Sequence, residues 1–294
     1  MRKVLGDKTT IVALLAPALI LYTVAKIIPV VWSLGLSLFK GNVLTGFTFV
    51  GFKNFVDFVA EPDAVNAVWV TIRYSVVVTV LQVALGYGLA LLYVFVLRNA
   101  SAFVRTVAFF PTVLPTVAVA LLFKSLFGIG DNPGPVNAAL HAVGQPSVDF
   151  FVSGAGTFFV AVVMELWRSV GFYAVILYAG LVDISAETLE SARLDGAGGW
   201  RLVRHIVIPL SWPILMSSLI FSFNSTLKVF DGLLALNNGG PGSETTPLTL
   251  YMFRSAFNYA EYGFGSSVAV VLTLLCLVFT LAVFRTSRRD VTEA

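Results

Sequence analysis

Among the ionisable residues in or at the edges of the long apolar runs of this sequence, two close pairs stand out: Glu165 with Arg168, and Lys228 with Asp231. An ionisable group at membrane depth is a functional candidate by default. Glu165 and Arg168 are three residues apart, the spacing of neighbours on one helix face, as are Lys228 and Asp231. Each pair either satisfies itself locally or meets a ligand. Polar side chains surround both. "ELWRSVGFY" (165–173) adds Trp167, Ser169, Gly171 and Tyr173; "FSFNSTLKVFD" (221–231) adds Ser222, Asn224, Ser225 and Thr226. Ser222, Ser225, Thr226 and Val229 fall at i, i+3, i+4 and i+7 and so share a face. Such groups need interior partners, either another helix or a hydrophilic ligand.

Catalytic constellations do not emerge. The two histidines, His141 and His205, lack metal-ligand spacing. Lysine never follows glycine, so a phosphate-cradling Gly-x-x-x-x-Gly-Lys-Ser/Thr loop is excluded. The one cysteine, Cys276, rules out an internal disulfide or thiolate cluster. The net charge of +3 is small and unclustered, which does not point to nucleic acid.

The elements that must position these residues are membrane helices. The chain has 294 residues, 57% hydrophobic and 12% charged, whereas a soluble domain is about 25% charged. Six runs reach the roughly 20 residues a bilayer requires: Ile11–Leu38, Val68–Leu97, Thr106–Phe127, Thr157–Leu181, Ile206–Leu227 and Phe264–Phe284. The first is too long, and too interrupted by Pro17, Lys26 and Pro29, for a cleaved signal. With the N-terminus inside, the inner segments carry Arg2, Lys3, Lys8, Arg98, Arg105, Arg193, Arg201, Arg204, Arg285, Arg288 and Arg289. The outer loops carry only Lys40, Lys53 and Arg254. That asymmetry places both termini in the cytoplasm. It divides the chain into a cytoplasmic end (1–10), a membrane region (11–284) and a second cytoplasmic end (285–294). The outer loops "FKGNVLTGF", "GIGDNPGPVN" and "NNGGPGSETTP" are rich in turn residues.

One polar segment, 185–209, interrupts this pattern on the inner side: "ESARLDGAGGWRLVRHIVIP" forms its larger part. Ser185 is an N-cap with Glu187 in the first turn, and Gly196 can take the left-handed turn that stops the helix near Leu194. A second short helix starts near Trp200, and Pro209 bends the entry into the membrane. The mixture of Glu190, Arg193, Asp195, Arg201 and Arg204 with Leu189, Leu194 and Trp200 suits docking.

This segment resembles the EAA signature of permease subunits of binding-protein-dependent ABC importers: Glu190-Ser191-Ala192, then Gly196, then Ile206-x-Ile208-Pro209. Ser191 and Ile208 depart from the usual Ala and Leu. "VGFKNFVDF" (50–58), "FFPTVLPTVAVALLFKSLF" (109–127), "LKVFD" (227–231), "GGPG" (239–242) and "YMFRSAF" (251–257) extend the resemblance to the carbohydrate-uptake group, over most of the chain. The resemblance implies an all-α, six-span type I permease fold in a bacterial or archaeal cytoplasmic membrane. The segment then becomes a coupling helix, with Glu190, Ser191, Ala192, Arg193, Asp195 and Gly196 engaging a cytoplasmic ATPase. It implies a second permease subunit, two ATP-binding subunits that hold ATP-Mg, a solute-binding protein outside, and no cofactor on this chain. It implies a sugar substrate met by Ser169, Gly171, Ser222, Ser225 and Thr226. Trp167, Asn224, Lys228 and Asp231 join them on the chemistry of their side chains. Import of glycerol-phosphate or another small polar solute, or an ion-driven secondary transporter, are the alternatives.

The charge asymmetry yields a direct expectation. A cysteine at Ser243 will react with an impermeant thiol reagent in intact cells and one at Ser287 will not; equal labelling overturns the topology.

Overall fold

The computed structural model describes residues 8–97, 100–130 and 132–291; Arg2, Lys3 and Arg98 of the inner-side count lie outside them. In chain order the helices begin with α1 (Lys8–Tyr22) and α2 (Ile28–Leu36). A hairpin follows, β1 (Phe39–Asn42) and β2 (Gly46–Phe49), then α3 (Lys53–Ala60) and α4 (Pro62–Leu92). Next come α5 (Ser101–Phe109), α6 (Thr116–Leu126), α7 (Pro135–Ala142) and α8 (Gly154–Val182). The rest are α9 (Ala186–Leu194), α10 (Gly199–Leu202), α11 (Ile208–Thr226), α12 (Asp231–Asn237), α13 (Leu248–Phe253) and α14 (Tyr262–Val291). Among the described residues, five helical stretches are long and apolar enough to cross a membrane: Thr10–Leu36, Pro62–Leu97, Gly154–Val182, Gly199–Thr226 and Tyr262–Val283.

The third apolar run corrects the sequence reading. It is not one straight span over Thr106–Phe127 but two pieces, Ser101–Val113 and Thr116–Leu126, meeting at 96°. At about 1.5 Å per residue neither piece alone covers a hydrocarbon core. The cause is local. Pro115 forces Leu114 out of the helical region (φ −71°, ψ 140°), and Pro111 starts a tight turn just before it. The pair counts as a sixth span if it crosses as one.

Prolines elsewhere are absorbed with less disruption. Five-residue π-turns at Thr23–Ile27 and Val203–Val207 immediately precede Ile28-Pro29 and Ile208-Pro209. Ile28 N–H donates to the Thr23 carbonyl and Ile208 N–H to that of Val203. These five-residue links let the chain pass a residue that has no N–H and crowds the carbonyl four positions back. The bend expected at Pro209 is thus spread over a π-turn within one continuous stretch, Gly199–Thr226.

Contacts divide the chain into two units, 1–62 with 251–273, and 63–250 with 274–294. In the first, "FKGNVLTGF" is more than a loop. It forms most of an antiparallel hairpin in which Phe39 pairs with Phe49 and Asn42 with Gly46. Asn42 Oδ1 accepts from Leu44 N and Thr45 N, both at 2.9 Å, closing the turn. Asn54 is buried and donates to the Ser37 and Phe39 carbonyls, tying α3 to the hairpin.

The second unit has two apolar clusters. One gathers Tyr74 and Val78 of α4, Val119 and Phe123 of α6, Val160 and Met164 of α8, and Leu233 and Leu236 of α12. The other gathers Val83 and Tyr87 of α4, Tyr173, Leu177 and Leu181 of α8, and Ala192, Leu202 and Val207 beyond it. On each long helix polar residues lie between the apolar ones that build the clusters: Thr79 and Gln82, Glu165, Arg168 and Ser169, and Ser222, Asn224, Ser225 and Thr226.

Close approach of α5 to α8 depends on Gly171, where a Cβ would fall 1.8 Å from the Ala108 carbonyl oxygen. Replacing Gly171 by Ala will therefore destabilise the protein by about 1–3 kcal/mol or more, read as a lower thermal midpoint in detergent. Gly88→Ala, with nothing within 4 Å of its Cβ, should leave that midpoint unchanged or raised.

Candidate functional site

α4, α8 and α11 meet in the polar layer, and their hydroxyls and amide mostly satisfy one another. Ser169 Oγ lies 2.6 Å from both Gln82 Oε1 and the Glu165 carbonyl. Gln82 Nε2 donates to Ser222 Oγ. Ser222 Oγ donates to Thr79 Oγ1 at 2.9 Å, and Thr79 Oγ1 is 3.3 Å from Thr226 Oγ1. All five residues are buried. Gln82 and Thr79, which the sequence reading missed, are the hubs of this network. Their signal was present: two polar residues three apart within the otherwise apolar run 76–85.

The remaining residues expected at a ligand separate into three places. Ser225, Thr226, Lys228 and Asp231 line a cavity of about 160 Å³ with Glu165 and Arg168. Tyr74 lines it too, and its buried hydroxyl has no hydrogen-bond partner among the described residues. Glu165 and Arg168 form a two-point ion pair, Arg168 Nη2 to Glu165 Oε1 at 2.6 Å and Arg168 Nε to Oε2 at 3.2 Å. Lys228 and Asp231 form no ion pair with each other among the described residues. α11 stops at Thr226, and Phe230 turns the chain (φ −142°, ψ −70°) before α12 begins. Their three-residue spacing therefore does not place them on one helix face.

Trp167 and Gly171 do not join this cavity. They line a separate apolar cleft with Val107, Pro111 and Val170, and the Trp167 ring lies 5.8 Å from that of Phe123. Gly171 is explained by its contact with α5. Asn224 points elsewhere again, donating to Thr280 Oγ1 of α14 at 3.0 Å. Side-chain chemistry pointed to Trp167 and Asn224, and the resemblance to Gly171, yet neighbouring helices recruit all three for packing.

The segment 185–209 folds as a compact knob. Ser185 Oγ accepts from Thr188 N at the start of α9. At its end Ala197 N donates to the Ala192 carbonyl and Gly196 N to that of Arg193, with Gly196 at φ +85°: a Schellman turn. Leu189, Ala197 and buried Ala192 and Leu202 fasten the knob to the second apolar cluster. Ala192 thus faces the protein and does not present itself for docking. Glu190, Ser191, Arg193, Asp195 and Gly196 are exposed, as are Leu194 (89%) and Trp200 (66%), two apolar side chains facing outward from a polar element.

Truncating Gln82 to Ala will leave Ser169 and Ser222 without their interhelical partner and lower stability by about 1–2 kcal/mol, seen as a drop in thermal midpoint. Ser225→Ala, at an exposed cavity wall, should not change it.

With this geometry established, comparison with known proteins is direct. Residues 82–290 match the family described as binding-protein-dependent transport system inner membrane component. The chain is 30% identical to the sulfoquinovosyl glycerol transport system permease protein SmoG of Agrobacterium fabrum, over 97% of this chain and 92% of that one. It is 28% identical to the trehalose/maltose transport system permease protein MalF of Thermococcus litoralis, over 94% and 92%. Its fold superposes with a TM-score of 0.83 on a chain of a bacterial ABC transporter involved in import of the acidic polysaccharide alginate, covering 94% of each at 22% identity. The relatives are transport permeases, and this multi-pass membrane chain belongs to the binding-protein-dependent transport system inner membrane component family.

Proposed function

We propose that this chain is one of two permease subunits in an ATP-driven importer, and that it carries a di- or oligosaccharide inward from an extracytoplasmic solute-binding protein. The observation behind the sugar reading is the cavity at the break between α11 and α12. Two acids, two bases, the Ser225 hydroxyl and the Tyr74 hydroxyl offer many donors and acceptors with no net formal charge. A neutral polyhydroxyl compound fits such a lining. A phosphate ester such as glycerol-phosphate would favour a surplus of cations. The relative named for trehalose/maltose supports a neutral sugar, and the one named for sulfoquinovosyl glycerol supports a sugar derivative more broadly.

In this reading the knob is the coupling element. Two separate ATP-binding subunits hold ATP-Mg, and their closure moves the knob as a rigid body. Glu190, Ser191, Arg193 and Asp195 supply polar contacts, and Leu194 and Trp200 supply apolar anchors. Gly196 shapes the turn, and Ala192 fastens the knob from beneath. The knob and both termini are cytoplasmic, which requires the bent α5–α6 pair to cross as one span. The membrane is then the cytoplasmic membrane of a bacterium or archaeon, with 1–10 and 285–294 as short inner ends. Trp167, Gly171, Ser169 and Ser222 shape the channel wall by holding helices together, while Ser225, Thr226, Lys228 and Asp231 meet the sugar.

Uptake of a panel of labelled sugars separates the two roles. Gly196→Val, a β-branched residue at a left-handed position, should abolish uptake of every sugar and reduce recovery of the ATP-binding subunits on purification. Glu190→Ala should lower uptake with the subunits retained. Lys228→Met and Asp231→Asn should alter which sugars are taken up without loss of assembly. Unchanged sugar preference in both cavity variants would place the substrate elsewhere.

A further inference from the structure

Arg73 is a cation on an otherwise apolar, outward-facing stripe of α4. Val65, Trp69, Val76 and Val80 flank it on that stripe, exposed by 49%, 67%, 46% and 55%. No Asp, Glu, Lys or Arg occurs between Arg73 and Arg98, a stretch of 24 residues. At 1.5 Å per residue that is about 36 Å, close to the roughly 30 Å of a hydrocarbon core. Arg73 therefore stands at one boundary of the core, and Trp69 lies one helical turn outside it, at headgroup level where indoles concentrate.

A cavity of about 270 Å³ opens at this boundary, lined by Asn66, Trp69, Val70, Arg73, Gly154 and Glu244, among others. The Arg73 guanidinium sits 4.3 Å from the centre of the Phe158 ring, and among the described residues it has no ion-pair partner. The acid in the cavity is offset elsewhere: Glu244 Oε2 accepts from Gly154 N at 2.6 Å, at the N-terminus of α8, whose dipole compensates its negative charge and leaves the Arg73 cation in excess. Asn66 Nδ2 likewise donates to the Ser243 carbonyl at 2.9 Å.

We propose that this cavity binds the phosphate headgroup of an anionic phospholipid, with Arg73 as its cation and Trp69 as the wall beside the glycerol backbone. The apolar stripe continuing through Val76 and Val80 receives the acyl chains. A cation at the edge of hydrocarbon gains most from an anion that is anchored at that same depth. The bound lipid also abuts the 237–247 loop through Glu244, so it sits where it can steady that loop against α4 and α8.

The test uses the purified importer complex in detergent, titrated with dioleoyl phosphatidylglycerol, dioleoyl phosphatidylcholine or inorganic phosphate. Lipid retention is read by native mass spectrometry and stability by thermal midpoint. Phosphatidylglycerol should be retained and raise the midpoint more than phosphatidylcholine, and phosphate alone should do neither. Arg73→Gln should weaken phosphatidylglycerol binding about fivefold, and Arg73→Lys should restore most of it. Equal responses to the two lipids, stabilisation by free phosphate, or an unchanged Arg73→Gln variant overturns the site. A photoreactive phenylalanine in place of Trp69, with Arg73 intact, provides a second reading should the Gln variant fail to assemble. A lipid adduct supports the site, and an adduct to another subunit overturns it.

Discussion

Gln82 is held between Ser169 and Ser222, and the register of three membrane helices depends on that amide. Water is scarce at this depth, so a polar group in one span must find its partner in another. Apolar packing in lipid is only weakly selective, because tails solvate leucine as well as another helix does. Gln82 therefore supplies what the two apolar clusters cannot, one defined alignment of α4, α8 and α11. Thr79 and Thr226 extend it by a turn. Where α11 ends at Thr226 the hydroxyls give way to charges, and the polar layer opens into the small cavity around Glu165, Arg168, Lys228 and Asp231.

Proline shapes the same bundle in two ways. At Pro29 and Pro209 a preceding π-turn restores a hydrogen-bonded path and the span continues. At Pro111 and Pro115 two prolines four residues apart leave no room for that repair, and the helix turns through 96°. The bend lets the short helix α6 pack beside α12 in the first apolar cluster, so the wall near the cavity is built from two short helices that neither span alone nor lie free.

The knob shows the complementary case, a polar element kept rigid outside the spans. Its caps are local, at Ser185 and Gly196, while its attachment is through Ala192, Leu202 and Val207 to the C-terminal halves of α4 and α8. A push on exposed Trp200 or Leu194 is thus transmitted to helices that also carry the polar layer. That linkage is what the proposed coupling role requires, and it follows from packing rather than from the charged residues that first drew notice.

Length, apolar runs and lysine-arginine asymmetry were legible from composition, because the bilayer imposes a span length and an orientation bias on any sequence that crosses it. The knob was legible because its cap residues, Ser185 and Gly196, act over a few neighbouring positions. The hairpin at Phe39–Phe49 was not, since its turn rests on Asn42 gathering two amides rather than on the usual short turn signature. Nor was the division of the polar residues. Helical periodicity tells which residues of "ELWRSVGFY" and "FSFNSTLKVFD" share a face, but not what that face meets. Only the packed structure could send Ser169 and Ser222 to Gln82, Asn224 to Thr280 and Trp167 to an apolar cleft, and leave Ser225, Lys228 and Asp231 at the cavity. Those assignments depend on partners 50 to 150 residues distant in sequence, and no local pattern records where a neighbouring helix will lie.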